Sequence, residues 1–292
     1  MRANNIEIFQ DTLRTIEEGS YPFEHSYRDH AMAMRFSEAR LPQIVARPER
    51  KIPANPNARL SVEVANEDSY SCAIRLSKDK EIRGKRNGSH VLVMNFANDY
   101  TPGGGVVHGA NAQEEGLCRT STLYVSLLDH YNNEPNHGYY RECCANSRGI
   151  GTDGMLISPC VEVFKRGNGS LLEKPITVAV GTIAAPVAYQ TGLSTDELKK
   201  VFKNRITGYL HVAYELGYDT LVLGAWGCGA FGNDPAMVSQ AFAKCLDEFR
   251  GAPAEGSTQA PTAADAFAHI AFAVLDRKDG YNYTTFKETF QG

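Results

Sequence analysis

The chain is poor in the features that usually announce a compartment or a cofactor. It has one tryptophan in 292 residues, no paired cysteine spacing, and no run of apolar residues approaching the ~18 that a membrane span requires. Seven scattered cysteines, an odd number, argue against a disulfide-stapled secreted scaffold and for free thiols in a reducing compartment. The opening residues lack the apolar core of a signal peptide, so the expected location is cytoplasmic and no membrane partner is expected. A strong excess of either charge is lacking too. Lys and Arg number 30 against 34 Asp and Glu, a net charge of -4, which gives no general attraction to nucleic acid. A polyanionic ligand would have to be held by local geometry. No internal repeat is visible.

What is present is enough apolar material, 42% of residues, to bury one large core. Residues 4–18 place Ile6, Phe9, Leu13 and Ile16 at helical spacing, with Gly19 as a stop. The proline-rich stretch 47–57 reads as an exposed connection, dividing an N-terminal helical extension (1–56) from a catalytic unit (57–292). Strands are expected at 60–64, 91–96, 155–164, 176–183, 220–224 and 268–275, with a crossover helix at 68–76. A helix running on from Gln113 would pack through Leu117, Ser121, Tyr124, Leu128 and Tyr131. Ser194-Thr195-Asp196-Glu197 forms a capping box for a helix to about residue 216, and Asp234-Pro235 starts another that ends near Gly251. Residues 132–151 and 251–264 read as surface loops. Strands alternating with helices predict an α/β fold with a mixed, mostly parallel, helix-flanked sheet.

Two glycine-rich corners stand at the ends of predicted strands. After 91–96 come Gly103, Gly104 and Gly105, then Val106 and Val107, then Gln113, Glu114 and Glu115 at a helix start. After 220–224 come Trp226, Gly227, Cys228, Gly229, Ala230, Phe231 and Gly232. Glycines leave backbone N–H groups open to a phosphate, and strand-end loops of an α/β sheet converge on one crevice, so two such loops can clamp a diphosphate. Each loop alone also reads as an ordinary tight turn, and acidic residues suit any helix N-terminus. Successive helical residues point about 100° apart, so only one or two of Gln113, Glu114 and Glu115 can face the crevice. The helix end lowers a carboxylate pKa, whereas desolvation and a nearby pyrophosphate raise it. Asn95 and Asn98 offer amide groups to sugar hydroxyls, or satisfy the turn. Phe231 and Trp226 read equally as base-stacking partners and as core. His130, His137, Cys143 and Cys144 match no common zinc spacing, and Cys228 has no histidine near it in sequence to activate it.

Gly-Gly-Gly followed at short distance by Gln-Glu-Glu, within VMNFANDYTPGGG and QEEGLCRTSTLY, resembles the poly(ADP-ribose) glycohydrolases of the compact microbial type. The resemblance covers nearly the whole chain, including the 227–232 loop. It implies a macrodomain-like α/β/α sandwich and hydrolysis of the ribose–ribose O-glycosidic bonds of poly(ADP-ribose), with ADP-ribose as product. It further implies Glu115 as the catalytic acid/base, with Glu114 and Gln113 positioning it and the distal ribose. Gly103, Gly104, Gly105, Val106 and Val107 would lie on the diphosphate, faced by Gly227, Cys228, Gly229, Ala230 and Phe231, with Asn98 on the distal ribose. The implied partners are poly(ADP-ribose) or ADP-ribosylated proteins, and the chemistry calls for no cofactor and no metal. The rival readings are a hydrolase removing single ADP-ribose units from protein or nucleic acid, and a non-catalytic ADP-ribose reader. A nucleotide-dependent oxidoreductase is disfavoured, because Gly-Gly-Gly is not the spaced glycine fingerprint and Gln-Glu-Glu would be unexplained.

Overall fold

The computed structural model describes residues 1–24, 33–46, 48–78, 91–146, 149–276 and 280–292; Arg47 and positions 147–148 of the expected loops lie outside it. The main sheet has seven strands: β1 (Met34–Phe36), β2 (Ser61–Ala65), β3 (Val91–Phe96), β4 (Met155–Lys165), β5 (Leu171–Ile183), β6 (Thr220–Leu223) and β7 (His269–Ala273). Their spatial order is β1-β4-β5-β3-β6-β7-β2. Strands β5, β3, β6, β7 and β2 run parallel to one another. Lys51–Ile52 and Ala252–Pro253 form a separate two-stranded parallel ladder.

The helices are α1 (Arg2–Glu18), α2 (Ser69–Lys78), α3 (Gln113–Thr120), α4 (Leu123–Asn133), α5 (Gly138–Ala145), α6 (Thr195–Glu215), α7 (Pro235–Glu248) and α8 (Tyr281–Gln291), with a few shorter turns. They cover both faces of the sheet. In β3, Leu92 and Met94 join the core under α6, α7 and α8, while Val91 and Val93 join the one under α2 to α5. This two-residue alternation, with both faces apolar, is what a strand flanked by helices on each side must show. Both expected caps are made: Ser194 and Glu197 bond reciprocally at the start of α6, and Asp234 accepts from the Ala236 N–H at the start of α7.

Several expectations are corrected. The sequence leaves the antiparallel part of the mixed sheet unassigned: β4 and β5 form an antiparallel hairpin, and β1 pairs antiparallel with β4 to extend the edge. The single helix expected from Gln113 breaks into α3 and α4. Ser121, extended at φ -150°, bridges to Val163 of β4, and the Thr122 N–H is drawn to the Glu162 carbonyl. The break rotates α4, so Leu123, Val125 and Leu127 are buried while Tyr124 and Leu128 are only partly so. The stretch 132–151 is not merely loop, because α5 buries Tyr139 and Tyr140. Helix α8, seated by Phe286, was not foreseen. No helix among the described residues is long and apolar enough to cross a membrane.

Candidate active site

Strands β3 and β6 are neighbours, and the two glycine-rich corners leave them at the same edge of the sheet. Gly103 and Gly104 adopt positive φ (69° and 55°), a backbone that L side chains rarely accept. The two glutamates lie directly against this loop. Glu115 Oε1 accepts from the Gly105 N–H at 2.9 Å, and a side chain placed at Gly104 would meet that oxygen at 2.6 Å. Glu115 Oε2 is buried and has no hydrogen-bond partner. Glu114 accepts from the Asn98 N–H at 2.7 Å and from Asn95 Nδ2 at 3.1 Å. Burial dominates these favourable bonds and pushes the Glu114 carboxyl up to about 8, so the expected contest between helix end and desolvation is won by desolvation at this residue.

Gln113 faces elsewhere. Its Oε1 accepts from the Phe96 N–H at 2.9 Å, and its Nε2 donates to the Met94 carbonyl at 2.8 Å and to Ser69 Oγ at 3.0 Å. It rivets the start of α3 to the end of β3 and to α2, which fixes where the next two residues project. Asn98 organises its own loop: its side-chain oxygen accepts from the Tyr100 and Thr101 N–H groups. Val106 is fully buried, while Val107 is exposed on the same turn.

In the second loop Trp226 is core. It is fully buried, donates from Nε1 to the Ile183 carbonyl at 3.1 Å, and meets Phe202 edge-on. Gly227 takes φ 76°, and Ala185 and Asn233 leave no space there for a side chain, whereas nothing lies within 4 Å of a side-chain position at Gly229. Burial pushes the Cys228 thiol up to about 12, and its Sγ faces the Trp226 carbonyl, so a nucleophilic role has no support. Phe231 is partly buried and lines the cleft described next.

A cleft of about 600 Å³ lies along this edge. Its walls include Phe96, Ala112, Gln113 and Gly116, the loop residues Gly227, Gly229, Ala230 and Phe231, and Glu67, Asp68 and Asn282. Glu114 and Glu115 are not in its lining; they stand against the glycine loop, between the cleft-lining Gln113 and Gly116. The zinc candidates do not assemble. His130 Nε2 accepts from the Tyr139 N–H, His137 stacks on Tyr131, and no group of three or more possible ligands gathers among the described residues.

Sequence reasoning missed two site features. Arg119 is buried and lines the cleft; its signal was a cation one helical turn after Glu115. Helix α1 fastens the first glycine-rich corner: Asn5 donates to the Gly109 carbonyl, and Thr12 to that of Arg119. The bonds are long-range, and no local pattern could reveal them.

The family model for the catalytic domain of microbial-type poly(ADP-ribose) glycohydrolase (PARG) matches residues 9–166. Among solved structures, poly(ADP-ribose) glycohydrolase from Thermomonospora curvata is 32% identical, with 99% of this chain and 100% of that one covered and a TM-score of 0.82. The same protein bound to the inhibitor ADP-HPD matches at 30% identity and a TM-score of 0.78, with the same coverage. The Deinococcus radiodurans enzyme in complex with ADP-ribose is 31% identical over 93% of this chain and 99% of that one, with a TM-score of 0.73. No curated protein matches the chain.

Proposed function

Because the chain belongs to the microbial-type poly(ADP-ribose) glycohydrolase family, we propose that it hydrolyses the ribose–ribose O-glycosidic bonds of poly(ADP-ribose), releasing ADP-ribose, with Glu115 as acid/base. The observation that carries the role of Glu115 is its asymmetry: one carboxylate oxygen is fixed by the Gly105 N–H, and the other is buried without a partner. A proton on that second oxygen is the one available for transfer. It passes to the 2′-oxygen of the neighbouring ADP-ribose unit as the glycosidic bond breaks through an oxocarbenium-like state. The ionised carboxylate then takes a proton from water attacking the anomeric carbon, which restores the acid. A single carboxylate thus acts twice, unlike the pair that flanks the bond in most glycosidases.

Glu114 is a positioning residue, locked by Asn95 and the Asn98 N–H. Gln113 sets the register of the helix that carries both. The backbones of 103–107 and 227–231 hold the diphosphate from opposite sides, and Asn98 stands beside the distal ribose. Residues 57–292 are the macrodomain-like catalytic unit and 1–56 its N-terminal extension, which contributes β1 to the sheet. Poly(ADP-ribose) in the cytoplasm is the partner, and seven free thiols suit that compartment.

The test is digestion of defined poly(ADP-ribose) and of a mono-ADP-ribosylated protein by wild type and Glu115→Gln, reading free ADP-ribose by chromatography. Wild type is expected to shorten the polymer, and Glu115→Gln to lose about 10²–10⁴-fold or more while still binding ADP-ribose. Substantial turnover by the variant would overturn the assignment of Glu115. Reaction of the mono-modified protein alone would move the substrate to single ADP-ribose units, and binding without any hydrolysis would make the protein a reader.

A further inference from the structure

Three cationic side chains of the described residues are buried: Arg119, Lys165 and Arg205. Two of them have carboxylate partners. Lys165 Nζ lies 2.7 Å from Asp11 Oδ2, and Arg205 Nε lies 3.0 Å from Asp153 Oδ1. Arg119, only 5% exposed, has none within ion-pairing distance among the described residues. Its Nη1 donates to the Ala110 carbonyl and its Nη2 to Asn111 Oδ1 at 2.8 Å, both neutral acceptors. Two acceptors leave part of a five-donor fork unused. A buried guanidinium with no carboxylate hydrogen-bonded to it is costly, and a bound anion would complete it.

The guanidinium lies alongside Gly116, with Nη2 3.9 Å from where a side chain would begin there, and Arg119, Asn111, Ala112 and Gly116 all line the cleft. Glu115, one helical turn earlier in α3, is near enough to favour the guanidinium's charged form. The glycine loops offer a phosphate only backbone dipoles. Arg119 offers a full charge and a planar fork matched to phosphate oxygens.

We propose that Arg119 is an anion-anchoring residue of the cleft, binding a diphosphate group of the ADP-ribose chain in addition to the glycine loops. The inference rests on the glycohydrolase reading for the identity of the anion. The diphosphate belongs either to the unit being released or to the adjoining unit of the polymer, and both present the same chemistry.

The test is binding, which needs no turnover and is therefore separable from the fate of the catalytic reading. ADP-ribose, ADP and adenosine are titrated calorimetrically into wild type and Arg119→Gln, with poly(ADP-ribose) titrated into the same pair carrying Glu115→Gln. If Arg119 grips the bound unit, ADP-ribose and ADP weaken by about tenfold or more, adenosine is unchanged, and the salt dependence of ADP-ribose binding becomes shallower. If it grips the adjoining unit, ADP-ribose is unchanged and only the polymer weakens. Adenosine weakening in step with ADP-ribose would mean that Arg119 merely holds the 110–111 segment, and no change for any phosphate-bearing ligand would equally overturn the proposal. Should Arg119→Gln fail to fold, Arg119→Lys takes its place. Keeping the charge but losing the fork, it should retain the salt dependence and weaken the same ligand severalfold, and unchanged affinity for all of them would overturn the proposal.

Discussion

The two glycine-rich corners look alike in sequence and differ in what their glycines are for. At Gly104 the space a side chain would occupy is taken by Glu115 Oε1 at 2.6 Å and Glu114 Oε2 at 3.1 Å, so glycine is required by the acids lying against it. At Gly227 the space is taken by Ala185 and the Asn233 amide, which is packing within the loop, and at Gly229 it is empty. The first corner is therefore part of the machinery that orients carboxylates, and the second is a shaped surface whose open glycine faces outward. One glycine pattern serves two physical purposes, and only the neighbours tell them apart.

The strongest way to break this comparison is Gly104→Ala. Positive φ and the carboxylate beside it both oppose the new methyl, and displacing a reacting group by about 1 Å can cost on the order of 10²-fold. The expected result is a loss of turnover of about that size with ADP-ribose binding retained. Normal turnover would show that Glu115 does not depend on the loop. Glu114→Gln sharpens the same corner through pH. The Glu114 carboxyl, ordinarily near 4.5, is pushed up to about 8 by burial. The folded protein thus holds a proton that the unfolded chain has released between those values. Stability due to this group is full below about pH 4.5 and is lost as pH rises through about 8, at roughly 1.4 kcal/mol per pH unit. Denaturant titrations across that window should show Glu114→Gln gaining on wild type as pH rises. Parallel curves would mean that Glu114 is ionised throughout.

Much of this was legible beforehand because the signals are local. The apolar run of β3, the caps at Ser194 and Asp234, and Gly-Gly-Gly followed by Gln-Glu-Glu are short-range patterns, and the structure places the two glutamates and the first loop together. What escaped is set by distant partners. The α3–α4 break follows from Ser121 meeting β4, the hairpin of β4 and β5 from their pairing, and the burial of Trp226 from Phe202 and the Ile183 carbonyl. Gln113, grouped with the glutamates by its motif, is turned to β3 by bonds to Phe96 and Met94 that nothing in its immediate sequence announces.

The smaller effects belong to the second corner, where a matched pair separates packing from ligand approach. Gly227→Ala must find space against Ala185 and Asn233 at φ 76°, and should destabilise the fold by about 1–3 kcal/mol. Gly229→Ala meets nothing within 4 Å and has no positive φ to strain, so its effect on thermal stability should stay within about 0.5 kcal/mol. If the open face of Gly229 is where a diphosphate approaches the backbone, the added methyl should still weaken ADP-ribose severalfold by holding the phosphate off the N–H groups. A Gly229→Ala protein that melts like wild type and binds ADP-ribose equally well would leave the carboxylate-bearing corner as the side that grips the ligand. Weakened binding without destabilisation would mean that this loop's openness is itself the binding feature.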